Sequence, residues 1–280
     1  MPDTHKKVAF QGEHGAYSEL AIRRFFPSHI VSLPCFSFAD ALMAVKKNEA
    51  DAVMLPVENS LAGSVIPAYD ELLNYDLTII QEVTLRVRHC LLGTADSTID
   101  DIKQAYSHPQ ALAQCEHHLK KAAIEPSVFA DTAGAAAYVA RKKDKSCAAI
   151  ASRLAAEIYD LKILRSHFED EDFNFTRFFV LSKAVCPSFK AGIHYKTAIL
   201  FSLHDHPNAL VEILKIFGEH EINLSKIESR PSRAKPWDYH FFVDFEGHKD
   251  EEHIIRALCE IDERAAFFRC LGSFESRLLS

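Results

Sequence analysis

Four short polar blocks carry residue types able to bind and polarise a small anionic molecule. They are Gly12-Glu-His-Gly-Ala-Tyr-Ser18, Pro56-Val-Glu-Asn-Ser-Leu-Ala-Gly63, Ser107-His-Pro-Gln110 and Asn174-Phe-Thr-Arg-Phe178. Arg177 offers a fixed cation whose planar fork suits a carboxylate. The alternative is a surface ion pair with Glu169, Asp170, Glu171 or Asp172, an interaction that contributes little. Asn59 and Ser60 are neutral donors suited to orienting oxygens, whereas Glu58 would repel an anion unless paired. Ser107 and Gln110 flank a helix start, where Ser serves equally as a cap or as a ligand donor. Pro109 beside His108 assigns it to shaping that helix start. Phe178 reads as wall, and Thr176 as either a strand-favouring residue or a placed hydroxyl donor.

No H-E-x-x-H, C-x-x-C or G-x-x-x-x-G-K-[ST] pattern occurs, and Gly12-x-x-Gly15 is half a dinucleotide fingerprint at best. Neither a metal nor a nucleotide is therefore expected as a cofactor.

These blocks need elements to hold them. Val8–Phe10 and Ala52–Val57 read as buried strands, with Cys90–Leu92, Ala105-Tyr106, Val128-Phe129 and Ala148–Ile150 continuing the pattern. Helices between them start at Ser or Thr, with Ser18 expected to cap the first. Short apolar strands alternating with helices imply α/β layers around a mostly parallel sheet. In such sheets ligands bind beyond the carboxyl ends of strands, where helix N-termini present free N–H groups to anions. The four blocks are expected at such ends. Residues 84–165 repeat the pattern, which suggests a bilobed catalytic region with a cleft. Pro, Ser and Gly interrupt it at 184–194, giving expected boundaries of 1–184 for this region, 185–194 for a linker and 195–280 for a second domain. There, strands at Thr197–Leu203, Ile222–Ser229, Tyr239–Phe245 and Phe267–Leu271 alternate with two helices. One carries Leu210, Ile213, Leu214 and Phe217 on a single face. The order βαββαβ is the ferredoxin-like split unit, one sheet face of which commonly needs a partner, so dimerisation is expected.

The whole chain has 280 residues, 48% of them apolar and 25% charged, with a net charge of −7. This composition supports a packed core and argues against disorder. The negative balance argues against nucleic-acid binding, and no apolar run approaches the roughly 18 residues of a membrane span. Seven scattered Cys and a polar start, Met1–Lys7, point to a reduced, cytoplasmic location.

Taken in order, P-V-E-N-S-x-x-G, S-H-P-Q-A-L-x-Q-C and N-x-T-R-F, followed by Asn223-Leu-Ser-Lys-Ile-Glu-Ser-Arg-Pro231, closely resemble the monofunctional prephenate dehydratases with a carboxy-terminal ACT regulatory domain. The resemblance covers nearly all of 1–280. It implies a periplasmic-binding-protein-like catalytic domain plus a ferredoxin-like ACT domain. The implied reaction is loss of CO2 and water from prephenate to give phenylpyruvate, with no cofactor. No chorismate-mutase-like helices are expected ahead of it. By the same resemblance Thr176 is the catalytic donor to the leaving oxygen, while Asn59, Ser60, Ser107, Gln110, Arg177 and Phe178 contact substrate. L-phenylalanine is the implied feedback inhibitor, held at an ACT interface of a homodimer or homotetramer by Asn208, Ala209, Leu210, Asn223, Leu224, Glu228, Ser229 and Arg230. Asn208 departs from the family's Gly. Arogenate dehydration and non-catalytic amino-acid sensing are the competing readings.

Overall fold

The computed structural model describes residues 6–26, 29–232 and 237–279; of the polar stretch 1–7, residues 1–5 lie outside them. The fold has two compact units. One comprises the chain up to Ala68 with Thr84–Phe178, and the other Tyr69–Val83 with Phe179–Arg277.

The first unit opens with β1 (Lys7–Gln11), α1 (Tyr17–Phe25), β2 (Val31–Cys35), α2 (Phe38–Lys46), β3 (Ala52–Asn59) and β4 (Gly63–Ser64); α3 (Ile66–Asn74) and β5 (Thr78–Arg86) follow, and their residues from Tyr69 to Val83 belong to the second unit. β1 lies parallel between β2 and β3. Val8–Phe10 and Val53–Leu55 are fully buried, as a strand covered on both faces requires. Ser18 does not cap α1. The N-cap is Ala16, which has no polar side chain to offer, and Ser18 falls inside the first turn. Glu19 reaches back past the helix start and accepts from the Gly15 amide at 2.7 Å.

The chain continues through β6 (Cys90–Gly93), β7 (Gln104–Ser107), α4 (Pro109–Ala113), α5 (Glu116–Lys121), β8 (Glu125–Val128), α6 (Thr132–Lys142), β9 (Cys147–Ala151), α7 (Arg153–Ile158), β10 (Lys162–Ser166) and β11 (Phe175–Ser182). A five-stranded sheet runs β10-β6-β9-β7-β8. β7 is parallel to β8 and β9, but β6 is antiparallel to β9 and β10, so the sheet is mixed. Alternation along each strand feeds two cores. Leu91 and Ile150 pack with Leu112, Leu119 and Phe168 on one face. Leu92 and Ala149 pack with Ala135, Val139 and Ala155 on the other, where small side chains let α6 and α7 lie close to the sheet. β11 joins the first sheet beside β3. Three of the four polar blocks follow strand ends as expected, but Asn174–Phe178 instead opens β11.

The second unit contains β12 (Tyr195–Leu203), α8 (Ala209–Glu219), β13 (Leu224–Pro231), β14 (Tyr239–Glu246), α9 (Glu252–Arg264) and β15 (Ala265–Leu279), the expected βαββαβ order. Residues 185–194 contain no helix or strand. The sheet order is β13-β14-β12-β15, with β5 beside β15. Ile199, Phe201, Ile213, Phe217, Val243, Phe245, Ile254 and Ile261 form the core under the two helices. In β14 Phe242 and Asp244 are buried as well as Val243 and Phe245. The Tyr69 ring meets that of Phe242 at 5.0 Å and covers it on the second face. β15 also runs past the expected Leu271. At Gly272 (φ +147°) a Cβ would collide with the Ile79 carbonyl of β5, so glycine lets the two strands approach. No helix among the described residues is long and apolar enough to cross a membrane.

Candidate active site

Thr176 and Phe178 on β11, Asn59 at the end of β3, and Gln110 on α4 line one cavity of 200 Å³ within the first unit. Tyr17, His89, Gln114 and Asp131 line it as well. Strand alternation explains which member of the Thr-Arg-Phe triplet is left out. Side chains two apart share a face, so Thr176 and Phe178 face the cavity and Arg177 the opposite side. Arg177 pairs with Glu58 (Nη1–Oε2 3.4 Å). Of the four carboxylates expected to compete for it, three are engaged elsewhere: Asp172 with Arg86, Asp170 with His118 and Glu169 with the His89 amide.

Asn59 is the hub of the polar wall. Its Oδ1 accepts from the Leu61 and Ala62 amides at 3.1 and 3.0 Å. Its Nδ2 donates to Asn174 Oδ1 (2.8 Å), Thr176 Oγ1 (3.0 Å) and the Phe175 carbonyl (3.1 Å). Thr176 Oγ1 is thus an acceptor within the protein, and its own proton remains free for a ligand. The network continues from Asn174 Nδ2 to Gln114 Oε1 (2.8 Å), which lies 3.0 Å from His89 Nε2. His89 Nδ1 lies 2.7 Å from the Tyr17 hydroxyl. Burial lowers the pKa of His89 against the pull of Gln114 and Glu169. Burial likewise raises the Tyr17 phenol well above its ordinary range. Both groups are therefore neutral near pH 7.

Ser60 and Ser107 take structural positions. Ser60 Oγ donates to the Phe173 carbonyl (2.6 Å) and accepts from the Phe175 amide (2.9 Å), clipping the start of β11 to the turn after β3. Ser107 is fully buried and donates to the Ile150 carbonyl at 2.6 Å. The cap of α4 is His108, whose Nδ1 accepts from the Gln110 amide at 3.3 Å. Neither serine lines the cavity.

Asp131 is the only Asp, Glu, Lys or Arg among the lining residues. Positive potential comes instead from the start of α1. α1 and α6 both begin at the cavity, at Ala16–Ser18 and Asp131-Thr132. The first-turn N–H groups of α1 have no side-chain cap, and such an end carries about half a positive charge; at α6 Asp131 Oδ1 already accepts from the Gly134 amide at 2.7 Å. The cavity can therefore hold an anion by backbone amides and neutral donors, and offer the Thr176 hydroxyl to an oxygen that gains charge. Among the described residues no group of three or more His, Cys, Asp or Glu could hold a metal ion.

Sequence reasoning missed Tyr17, His89, Gln114 and Asp131 as individual site residues. Gln114 had a usable signal, since it follows Gln110 by four residues, one helical turn on. His89 had none, because it lies in the non-repetitive segment between β5 and β6.

In the second unit a cavity of 560 Å³ is lined by Asn208, Ala209 and Leu210 with His204, Trp237 and Tyr239. Asn208 is left-handed (φ 70°) and its side chain makes no capping bond. This conformation explains why glycine suits the position and why Asn, which tolerates it better than most residues, can replace it. Asn223, Leu224, Glu228, Ser229 and Arg230 do not line this cavity. Arg230 Nε instead donates to Asp70 Oδ1 at 2.9 Å.

Residues 8–185 match the family model described as prephenate dehydratase, and residues 197–263 match the ACT domain. The chain is 42% identical to arogenate dehydratase/prephenate dehydratase 2 of Arabidopsis thaliana, over 96% of this chain and 72% of that protein. Among solved structures, one described as a quorum quenching acylase, GqqA, superposes with a TM-score of 0.88 at 35% identity, covering 97% of this chain and 98% of that one. The Arthrobacter aurescens prephenate dehydratase in complex with L-Phe superposes with a TM-score of 0.89 at 30% identity, covering 96% and 90%. The chain belongs to the prephenate dehydratase family.

Proposed function

We propose that this chain converts prephenate to phenylpyruvate, CO2 and water, with Thr176 as hydrogen-bond donor to the departing hydroxyl. One observation carries the assignment: Thr176 Oγ1 accepts from Asn59 Nδ2 and so presents its own proton to the cavity. The electron pair of the breaking ring–carboxylate bond moves into the ring and expels the hydroxyl group, which leaves as water. The net reaction takes up one proton and reduces the charge on the organic species from −2 to −1. Donation from Asn59 polarises the Thr176 hydroxyl, and the uncharged wall of His89, Tyr17 and Phe178 strengthens that bond by excluding water. An acylase reading, which the GqqA likeness raises, would need a nucleophile paired with a base. Among the described residues Thr176 Oγ1 bonds only to an amide.

Asp131 supports a second substrate. A carboxylate at the cavity wall would pair with the ammonium of arogenate, whereas the keto group of prephenate offers it nothing. kcat/KM measured with both substrates tests the proposal, which fails if neither turns over. Asp131→Asn should lower kcat/KM for arogenate more than for prephenate, and an unchanged ratio would remove Asp131 from substrate choice.

The second-unit cavity, with Asn208, Ala209 and Leu210 in its wall, is the proposed site for L-phenylalanine as feedback inhibitor. β13 ends the second unit's sheet, with side chains alternating between exposed and half-buried. Such an edge suits pairing with a second copy, in keeping with a homodimer or homotetramer in the cytoplasm. Asn223, Leu224, Glu228, Ser229 and Arg230 lie on or next to that edge, where a second chain would bring its own cavity to them.

A further inference from the structure

His89 is only 2% exposed and the chemistry above assigns it no contact with the leaving group. Its tautomer nevertheless follows from the hydrogen bonds around it. Backbone amides can only donate, so those of Leu61 and Ala62 settle which way the Asn59 amide is turned. Asn59 Nδ2 then donates to Asn174 Oδ1, which leaves Asn174 Nδ2 to donate to Gln114 Oε1. Gln114 Oε1 also meets His89 Nε2 at 3.0 Å. A carbonyl oxygen cannot donate, so Nε2 carries the hydrogen. In the neutral ring Nδ1 must then accept, and the Tyr17 hydroxyl donates to it at 2.7 Å. From Asn59 to His89 Nε2 each member has a single permitted direction; the Tyr17 hydroxyl, which also lies 3.0 Å from the Arg88 carbonyl, turns to the shorter contact because a neutral ring leaves Nδ1 bare. The outcome is at Gln114: its Oε1 is engaged by Asn174 and His89, while its Nε2 has no acceptor among the described residues and belongs to a side chain lining the cavity.

We propose that His89, as the neutral Nε2–H tautomer, is a positioning residue that locks the Gln114 amide so that its nitrogen donates to a substrate oxygen. Without His89 the Gln114 carbonyl keeps one partner instead of two, and its amide can turn to present an oxygen to an anionic ligand. Tyr17 holds the ring from the other side. Its phenol is kept protonated by burial, with Cys90, Cys115 and Glu169 adding to that effect. The His89 backbone amide is itself tied to Glu169 Oε2 at 2.7 Å, which fixes where the ring starts.

The kinetic part of the test rests on the dehydratase reading; the tautomer does not. Nitrogen-15 NMR of the full chain, labelled at histidine ring nitrogens and free of substrate, should show His89 protonated at Nε2 and bare at Nδ1 at neutral pH. The signal is assigned by its loss in His89→Gln. An Nδ1–H tautomer or an imidazolium would overturn the proposal. His89→Leu should lower kcat by about 10²-fold, the cost of roughly 1 Å of misplacement, with KM little changed. His89→Gln, whose amide nitrogen can reach the Nε2 position, should recover most of the loss. A folded His89→Leu variant with wild-type kcat also overturns the proposal. Should that variant not fold, the ring-nitrogen spectrum decides alone. A wild-type chain inactive on prephenate and arogenate would defeat the dehydratase reading and leave the tautomer result standing.

Discussion

Replacing Thr176 by Val keeps the shape of the side chain and exchanges its hydroxyl for a methyl. The effect on folding follows from the partners of Asn59. Its Nδ2 has two hydrogens and three acceptors, at 2.8, 3.0 and 3.1 Å. Removing Thr176 Oγ1 leaves two hydrogens for two acceptors, so no donor is orphaned. The cost is then at most that of one net hydrogen bond, about 1 kcal/mol, or a fall in Tm of about 4 °C or less. The effect on chemistry is larger. A donor aimed at an oxygen that gains charge in the transition state is worth about 10²–10³ in kcat, or roughly 2.7–4 kcal/mol. The substrate hydroxyl is neutral before reaction, so KM should move far less, the signature of an interaction made in the transition state. Thr176→Ser keeps the donor and should retain most activity. Phenylpyruvate formation under steady-state conditions, alongside thermal unfolding, measures both quantities. A folded Thr176→Val enzyme with kcat within about tenfold of wild type, against the 10²–10³ expected of such a donor, would refute the assignment.

Gly15 has φ +93°, and a Cβ there would sit 2.8 Å from Ala155 Cα. Gly15→Ala should therefore cost about 1–2 kcal/mol in backbone conformation and about 1–3 kcal/mol in overpacking; denaturant unfolding with no loss would contradict the contact. Burial pushes the Glu19 carboxyl up, but the Gly15 amide and Arg23 outweigh it and hold its pKa below the ordinary value. Its stabilisation is complete above the unfolded pKa of about 4.3 and lost as pH falls through the lower folded value. The Tm difference between wild type and Glu19→Gln should accordingly close as the solution is acidified below that point, and a pH-independent difference would exclude the effect. Asn208→Gly preserves a left-handed backbone and removes a side chain from the second-unit cavity, so calorimetry should find phenylalanine bound at least as tightly; weaker binding would mean that Asn208 itself holds the ligand.

Three of the four blocks were legible because their residue types follow strand ends, and the ferredoxin-like order was legible from helical and strand periodicity. The finer placements were not legible where neighbours in sequence part in space. Thr176, Arg177 and Phe178 read as one motif, yet strand geometry sends Arg177 away from its neighbours. Ser107 sits beside a helix start, but the cap falls to His108 one residue later and the serine turns into the sheet. Tyr17 and His89 are 72 residues apart and meet only once the two sheets are assembled. Residues 69–83 carry no compositional mark that they join the second unit. Tyr69 reveals its partner only through the ring of Phe242.

Holding an anion with a helix end instead of a cationic side chain has a consequence for release. The attraction of a fixed partial charge scales with the charge of its ligand. On the dehydratase reading that charge halves during turnover, and the carboxylate that departs does so as neutral CO2. The cavity thus loosens its hold through the reaction it promotes. An arginine fork would still grip phenylpyruvate by its surviving carboxylate through two aligned hydrogen bonds. Backbone amides, with no Lys or Arg among the lining residues, let the product go.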